Sequence, residues 1–174
     1  MPYNVGYNEK TVHKKILMKS KLNLTEFKNR LKDNTKIGMP RLKIPMGFFA
    51  VFNDNPKYFY GNFDNTSFEL TINSNYSTSF YVIKGTFINN KENMMVNYAI
   101  KPLGKFRLIW IKYFPIGALI MCNSIFYFQT NAPIQAYISF NIAIVVITIV
   151  SRLYLKWQNK KLERKFIKIF EIID

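Results

Sequence analysis

The apolar residues between positions 58 and 101 follow the pattern of a half-buried β-sheet. In residues 67–73, Phe68, Leu70 and Ile72 alternate with polar side chains, which places one face in a core and the other in water. Residues 58–64, 80–89 and 94–101 are also rich in aromatic and β-branched side chains, with polar turns between them. The pattern predicts four consecutive antiparallel strands.

A short helix is predicted before this sheet, over residues 25–34. Leu24, Phe27 and Leu31 recur at three- and four-residue spacings, so they share one face, and Thr25 is positioned to cap the helix. The apolar run 48–52 predicts a further buried strand. We expect the helix to cover one side of the sheet.

Two long apolar runs follow the sheet. Residues 108–128 are interrupted only by Lys112, and residues 134–151 carry no charge, so each run reaches about the 20 residues that cross a bilayer. The short polar segment that ends at Pro133 favours starting a second helix. A domain of this size could hardly bury two helices that are apolar all round. The runs predict a transmembrane hairpin with helices at about 108–128 and 134–155.

The basic residues predict the orientation of this hairpin. The chain has 25 Lys and Arg against 10 Asp and Glu, a formal charge of +15, and many of these cations flank the two runs. By the positive-inside rule, both termini lie in the cytoplasm, and we expect a multi-pass protein of the bacterial inner membrane. The basic residues expected to contact anionic lipid headgroups are Lys105, Arg107, Lys112, Arg152, Lys156, Lys160, Lys161, Arg164 and Lys165.

The last segment, residues 156–174, is basic and amphipathic. Its apolar residues recur at three- and four-residue spacings: Leu162, Phe166, Ile169, Phe170 and Ile173. This pattern allows two placements: on the anionic leaflet, or packed on the β domain as a continuation of the second helix. Packing is favoured because the sheet needs an apolar cover. The predicted fold class is α+β, with a basic arm (1–21), an α+β domain (22–104), the hairpin (105–155) and the C-terminal helix (156–174).

Two asparagines lie at nearly the same depth in the hairpin. Asn123 and Asn141 stand roughly 13 to 14 Å along their helices from the middle of the turn. An amide that faces lipid lacks partners, whereas one that faces the other helix can bond across it. We predict an interhelical pair; the alternatives are bonds to each residue's own helix or to a second protomer.

The motifs of catalysis and cofactor binding are not found in the sequence. The seven glycines form no phosphate loop, Cys122 and His13 are each the single residue of their kind, and no Cys/His cluster has metal-ligand spacing. The carboxylates Asp54, Asp64 and Glu69 fit turn or solvent-facing positions, as does Glu92. We therefore expect no enzyme activity, no catalytic or metal site, and no cofactor.

The aromatic residues Tyr58, Phe59, Tyr60 and Phe63 follow Lys57 and allow two interpretations. Such a cluster can be a stacking platform for single-stranded nucleic acid or an ordinary core strand. The core strand is favoured, so nucleic acid is not the expected partner.

Part of the chain resembles a kind of small membrane protein. The spacing of Gly61, Phe68 and Leu70, then of the strand around Gly85, then of residues 98–102 before the hairpin is similar to uncharacterised small bacterial membrane proteins with a cytosolic β domain. The resemblance spans about residues 57–170, implies membrane placement and supplies no activity.

These observations favour an accessory, immunity or sensing protein that acts through protein or lipid contacts. Two other functions stay open: a subunit of a homo-oligomeric transport or pore assembly, and a membrane-tethered nucleic-acid binder. A pore would line water with polar helix faces, and a nucleic-acid binder would expose the sheet aromatics.

Overall fold

A computed structural model describes residues 16–40, 57–73, 79–90, 93–128 and 133–173. Within these ranges the chain forms a seven-stranded sheet and three helices, which confirms the α+β prediction. The predicted strand at residues 48–52 lies outside the described residues. The elements are β1 (Ile16–Ser20), α1 (Leu24–Asn34), β2 (Thr35–Ile37), β3 (Phe59–Phe63), β4 (Ser67–Ile72), β5 (Tyr81–Asn90), β6 (Asn93–Pro102), α2 (Lys105–Phe128), α3 (Ile134–Ile169) and β7 (Ile172–Ile173).

The four predicted strands are confirmed as the antiparallel meander β3 to β6 at the centre of the sheet. The full strand order is β2-β3-β4-β5-β6-β1-β7. β2 lies parallel to β3, and β1 pairs antiparallel with β6 on one side and β7 on the other. The prediction of a basic arm outside the α+β domain over residues 1–21 is wrong for 16–20, because that segment is the sheet strand β1. Its partner strands, β6 and β7, are about 80 and about 150 residues away in sequence, which no local pattern reveals.

The helix α1 begins one residue earlier than predicted, and its cap is Asn23, not Thr25. The Asn23 side-chain oxygen accepts a hydrogen bond from the Glu26 amide at 2.8 Å. The Glu26 carboxylate in turn accepts one from the Asn23 amide at 3.4 Å. This reciprocal capping box satisfies two free amides of the first turn. The apolar face of α1 then buries Phe27 and Leu31 completely.

The core consists largely of phenylalanines, and two of them come from the end of the chain. Phe166 lies 5.3 Å from Phe68 and Phe170 lies 4.7 Å from Phe27, ring centre to ring centre. Both are fully buried, as is Leu162. Of the two placements left open for the C-terminal segment, the structure has the one packed on the sheet. The boundary expected at residue 155 lies inside α3, which continues unbroken to Ile169.

Polar contacts from the N-terminal elements hold the end of α3. The Arg30 guanidinium donates to the Ile169 carbonyl at 2.7 Å and pairs with the Glu171 carboxylate at 2.6 Å. The Ser20 hydroxyl donates to the Phe170 carbonyl at 2.7 Å. These donors satisfy carbonyls that a helix C-terminus leaves unpaired. Glu171 has a positive φ of 46°, and the chain turns there into β7.

Gly85 of β5 is required by a close approach of neighbouring atoms. A Cβ at this position would stand 2.5 Å from the ring of Phe68 and 2.6 Å from the Asn97 carbonyl oxygen. The missing side chain therefore lets the Phe68 ring lie over the neighbouring strand and reach Phe166.

We predict that Phe166→Ala lowers the free energy of unfolding by about 3–5 kcal/mol, because it removes a fully buried ring and leaves a cavity. The matched control is Phe106→Ala, whose ring is 78% exposed at the start of α2; it should change stability by less than about 0.5 kcal/mol. Denaturant unfolding of the detergent-solubilised protein measures both. Equal effects of the two substitutions would contradict the core assignment.

Candidate functional site

The helices α2 and α3 extend an apolar hairpin away from the sheet. Both are long and apolar enough to cross a membrane, and α2 and the first half of α3 expose most of their large hydrophobic side chains, among them Phe114, Ile120 and Ile142. At 1.5 Å per residue α2 is about 36 Å long and α3 about 54 Å. The two helices pack against each other, so α3 extends well beyond α2 into the sheet domain.

Asn123 and Asn141 contact each other across the hairpin. The Asn123 amide nitrogen donates to the Asn141 side-chain oxygen at 2.8 Å, and the Asn141 nitrogen donates back at 3.1 Å. Each nitrogen also donates to the carbonyl four residues earlier, at Leu119 and Tyr137. Both hydrogens of both amides are thus used, so this pair needs no second protomer to satisfy its donors.

Other polar side chains of the hairpin bond to their own helix. The Ser124 hydroxyl donates to the Ile120 carbonyl at 2.9 Å, and the Thr148 hydroxyl donates to the Ile144 carbonyl at 2.8 Å. Such bonds to the preceding turn satisfy a hydroxyl in an apolar medium. These two hydroxyls are therefore bonded within their own helices.

The expected headgroup residues lie around the base of the hairpin and along the rest of α3. Lys105, Lys112, Arg152, Lys156, Lys160 and Arg164 are exposed, and the side chain of Arg107 lies outside the described part of the chain. Three of the expected cations lie over aromatic rings: Lys161 is 4.6 Å from the ring centre of Trp157, Lys165 is 5.2 Å from that of Tyr58, and the exposed Lys112 is 5.1 Å from that of Tyr113. Burial lowers the pKa of Lys165, and the charge of Lys161 lowers it further.

The aromatic cluster at β3 is divided between the core and the surface. Phe59 is fully buried and stacks near Phe170, with ring centres 6.0 Å apart. Tyr58 is exposed but contacts Lys165. The structure therefore does not present the cluster as a continuous platform.

The candidate carboxylates of the described chain have structural partners. The Asp64 carboxylate accepts bonds from the Ser67 hydroxyl and from the Thr66 and Ser67 amides at 2.6–2.7 Å, and these bonds lower its pKa to about 2. Glu69 pairs with Lys84 at 2.8 Å. Asp54, Glu92 and His13 lie outside the described residues, and within those residues no group of three His, Cys, Asp or Glu could hold a metal.

A shallow cavity of about 550 Å³ opens over β3 to β6. The pairing of these strands places Asn62, Glu69 and Lys84 side by side across the sheet, and all three line the cavity. Asn97 lies there too, and its side-chain oxygen is buried with no hydrogen-bond partner. This polar surface was not singled out from the sequence, because its members come from four strands.

Comparison with protein-family models, with curated proteins and with solved structures returns no match. The site is therefore interpreted from its own geometry.

We predict that Asn123→Leu and Asn141→Leu are coupled. Each substitution should destabilise the hairpin. The double variant should lose less stability than the sum of the two single losses, by about 0.6 to 2 kcal/mol, because either change alone removes the bonds between the helices and leaves the other amide with only the bond to its own helix. Unfolding in detergent measures the cycle.

The control cycle combines Asn123→Leu with Thr148→Val. The Thr148 hydroxyl bonds within its own helix and lies about 10 Å along α3 from Asn141, so these two effects should add. Additivity in the Asn123 and Asn141 cycle as well would contradict direct pairing.

Proposed function

We propose that this protein is a multi-pass protein of the bacterial inner membrane with both termini in the cytoplasm. Its sheet domain stands at the inner leaflet and acts through protein or lipid contacts, as an accessory, immunity or sensing component. Anionic headgroups bind the cations nearest the bilayer: Lys105, Lys112, Arg152 and Lys156.

One observation carries the proposal: the apolar hairpin is an insertion within a single folded domain. The strand β6 leads into the first helix of the hairpin. The chain then returns through α3 and supplies Phe166 and Phe170 to the core of the same sheet. Two segments that pack together lie on one side of a bilayer, so the hairpin between them crosses it twice or not at all. The exposed apolar surface of both helices favours crossing of the bilayer, because that surface would otherwise remain in contact with water.

The side on which the domain lies follows from charge. Basic residues cluster at the domain end of both helices, as at Lys105 and Arg152, whereas the segment 129–133 has none. The positive-inside rule therefore supports a cytoplasmic domain.

The domain is coupled closely to the hairpin, which suits a role in sensing or in regulating a membrane partner. Two residues separate the end of β6 from the start of α2, and α3 is one helix from the apolar segment to the core. A displacement of α3 in the membrane would move Phe166 and Phe170 directly.

The two alternative functions receive less support. The polar side chains Asn123, Asn141 and Thr148 bond within the hairpin, whereas a pore requires polar groups that face water. The burial of Phe59 does not favour a stacking surface for nucleic acid.

We predict the topology by labelling cysteines in a Cys122→Ser background. In intact cells, a membrane-impermeant maleimide should react with Asn131→Cys, between the two helices, and not with Lys168→Cys, at an exposed position near the end of α3. Permeabilisation should make Lys168→Cys reactive, which controls for its accessibility. Labelling of Lys168→Cys from outside would reverse the orientation, and recovery of the protein in the soluble fraction would overturn membrane placement.

A further inference from the structure

The face of the sheet that is turned away from α1 and α3 carries two rows of mostly polar side chains. The opposite face buries Leu70 and Ile83 in the core with residues of both helices, and successive residues of a strand point to opposite faces. The first row crosses four strands as Asn62, Glu69, Lys84 and Ala99. The second row crosses three strands as Ser67, Thr86 and Asn97. The cavity of about 550 Å³ lies over both rows.

The cavity forms because short side chains lie among long ones. Thr86 and Ala99 end close to the backbone, whereas Glu69, Lys84 and Lys101 extend further from the sheet, and all five line the cavity. Its volume falls within the range of roughly 300–1,000 Å³ that is usual for small-molecule sites. The depression is therefore large enough for a small ligand.

The two sides of the cavity carry opposite charges. Asp64 and Glu69 line it on the side of β3 and β4, and Lys84 and Lys101 line it on the side of β5 and β6. A ligand with one positive and one negative end matches this arrangement, whereas a ligand with a single charge meets repulsion from one of the two sides. The charges therefore favour a zwitterion.

Glu69 and Lys84 form an ion pair in the cavity, and each can take a further partner. Their side chains meet at 2.8 Å and are 36% and 48% exposed. The pair uses one of the three hydrogens of the lysine ammonium and one of the two oxygens of the carboxylate. A ligand carboxylate can therefore bind Lys84, and a ligand ammonium can bind Glu69, while the ion pair stays intact.

Asn97 contributes an acceptor that lacks a donor. Within the described residues its side-chain oxygen is buried without a hydrogen-bond partner, which is costly and calls for a donor from elsewhere. Glu69 and Asn97 lie on β4 and β6, with β5 between them, so they are about 10 Å apart across the sheet. The single ammonium of a free amino acid cannot serve both acceptors. A dipeptide brings a second donor, the N–H of its peptide bond.

We propose that this cavity binds a dipeptide with free termini. The ligand carboxylate accepts from Lys84, the ammonium donates to Glu69, and the peptide N–H donates to the Asn97 oxygen. An extended dipeptide is about 7 Å long, and hydrogen bonds of about 3 Å at its ends let it span two strand spacings. Lys84 is the diagonal neighbour of Asn97 on this face, so a ligand that draws this flexible side chain toward itself also gains access to the buried oxygen.

This site deepens the proposed sensing role and, as a sensor, rests on it. The strand β6 carries Asn97 and Lys101 and is separated by two residues from α2. A ligand held between β4 and β6 therefore acts on the strand that leads into the hairpin.

The test uses the full-length protein in detergent micelles and dialanine as the probe. Dialanine should bind with a Kd of about 1 mM, as expected for so small a ligand, measured by saturation-transfer NMR. Three analogues each lack one recognised group: N-acetyl-dialanine has no ammonium, dialanine amide has no carboxylate, and alanine has no peptide bond. The first two should bind roughly tenfold more weakly, since each loses a charged hydrogen bond, and alanine roughly fivefold more weakly.

Variants of the cavity assign each contact. Lys84→Gln should weaken dialanine binding roughly tenfold and abolish the preference for dialanine over its amide, and Glu69→Gln should reduce the preference over the N-acetyl form. Asn97→Leu should weaken dialanine binding roughly fivefold and leave alanine binding unchanged. The control is Lys36→Gln, an exposed residue of β2 away from the residues that line the cavity, and it should change none of these values. Each preference is a ratio measured within one variant, so partial unfolding does not imitate its loss.

Four outcomes would overturn the proposal: no saturable binding of dialanine, equal affinity for dialanine and its capped forms, alanine binding as tightly as dialanine, or unchanged affinity in all three cavity variants. The third outcome would name a free amino acid as the occupant. A failure of membrane placement would appear separately, as protein that is soluble without detergent and still binds dialanine.

Discussion

The packing of Phe166 and Phe170 against the sheet ties the two ends of the described chain together across the apolar hairpin. Both rings are fully buried, and a buried phenylalanine contributes about 3–5 kcal/mol when judged by its truncation to alanine. That is a large share of the roughly 5–15 kcal/mol by which folded domains are stable. The sheet core is therefore incomplete until α3 has returned from the hairpin, and the position of the hairpin follows from that constraint.

Two sets of polar contacts fix α3 at separate points along its length. At its end, Arg30 and Ser20 bind the last carbonyls, so that α1 and β1 hold the C-terminal turn. Near the middle of its apolar part, Asn141 pairs with Asn123 of α2. A continuous helix fixed at both places is a stiff connection between the membrane, as proposed, and the sheet domain.

Local patterns in the sequence predict the parts of this structure that depend on near neighbours. Alternation around Phe68 predicts the meander, and the length of the two apolar runs predicts the hairpin helices. The number of residues from the turn places Asn123 level with Asn141. The strands β2 and β7 have three and two residues, too few for a pattern, and β1 pairs with strands distant in sequence. The surface over β3 to β6 depends on the register between neighbouring strands, and the role of Arg30 depends on the return of α3 to α1; no local pattern gives either.

The central claim is that the segment after the hairpin completes the domain before it. We would replace residues 106–155 with a linker of about six residues, enough to span the roughly 10 Å between packed helices, and prepare the same chain with and without residues 156–174. Urea unfolding should be cooperative for the chain that keeps Phe166 and Phe170 and absent for the shorter one. Equal cooperative unfolding of both chains would contradict this account.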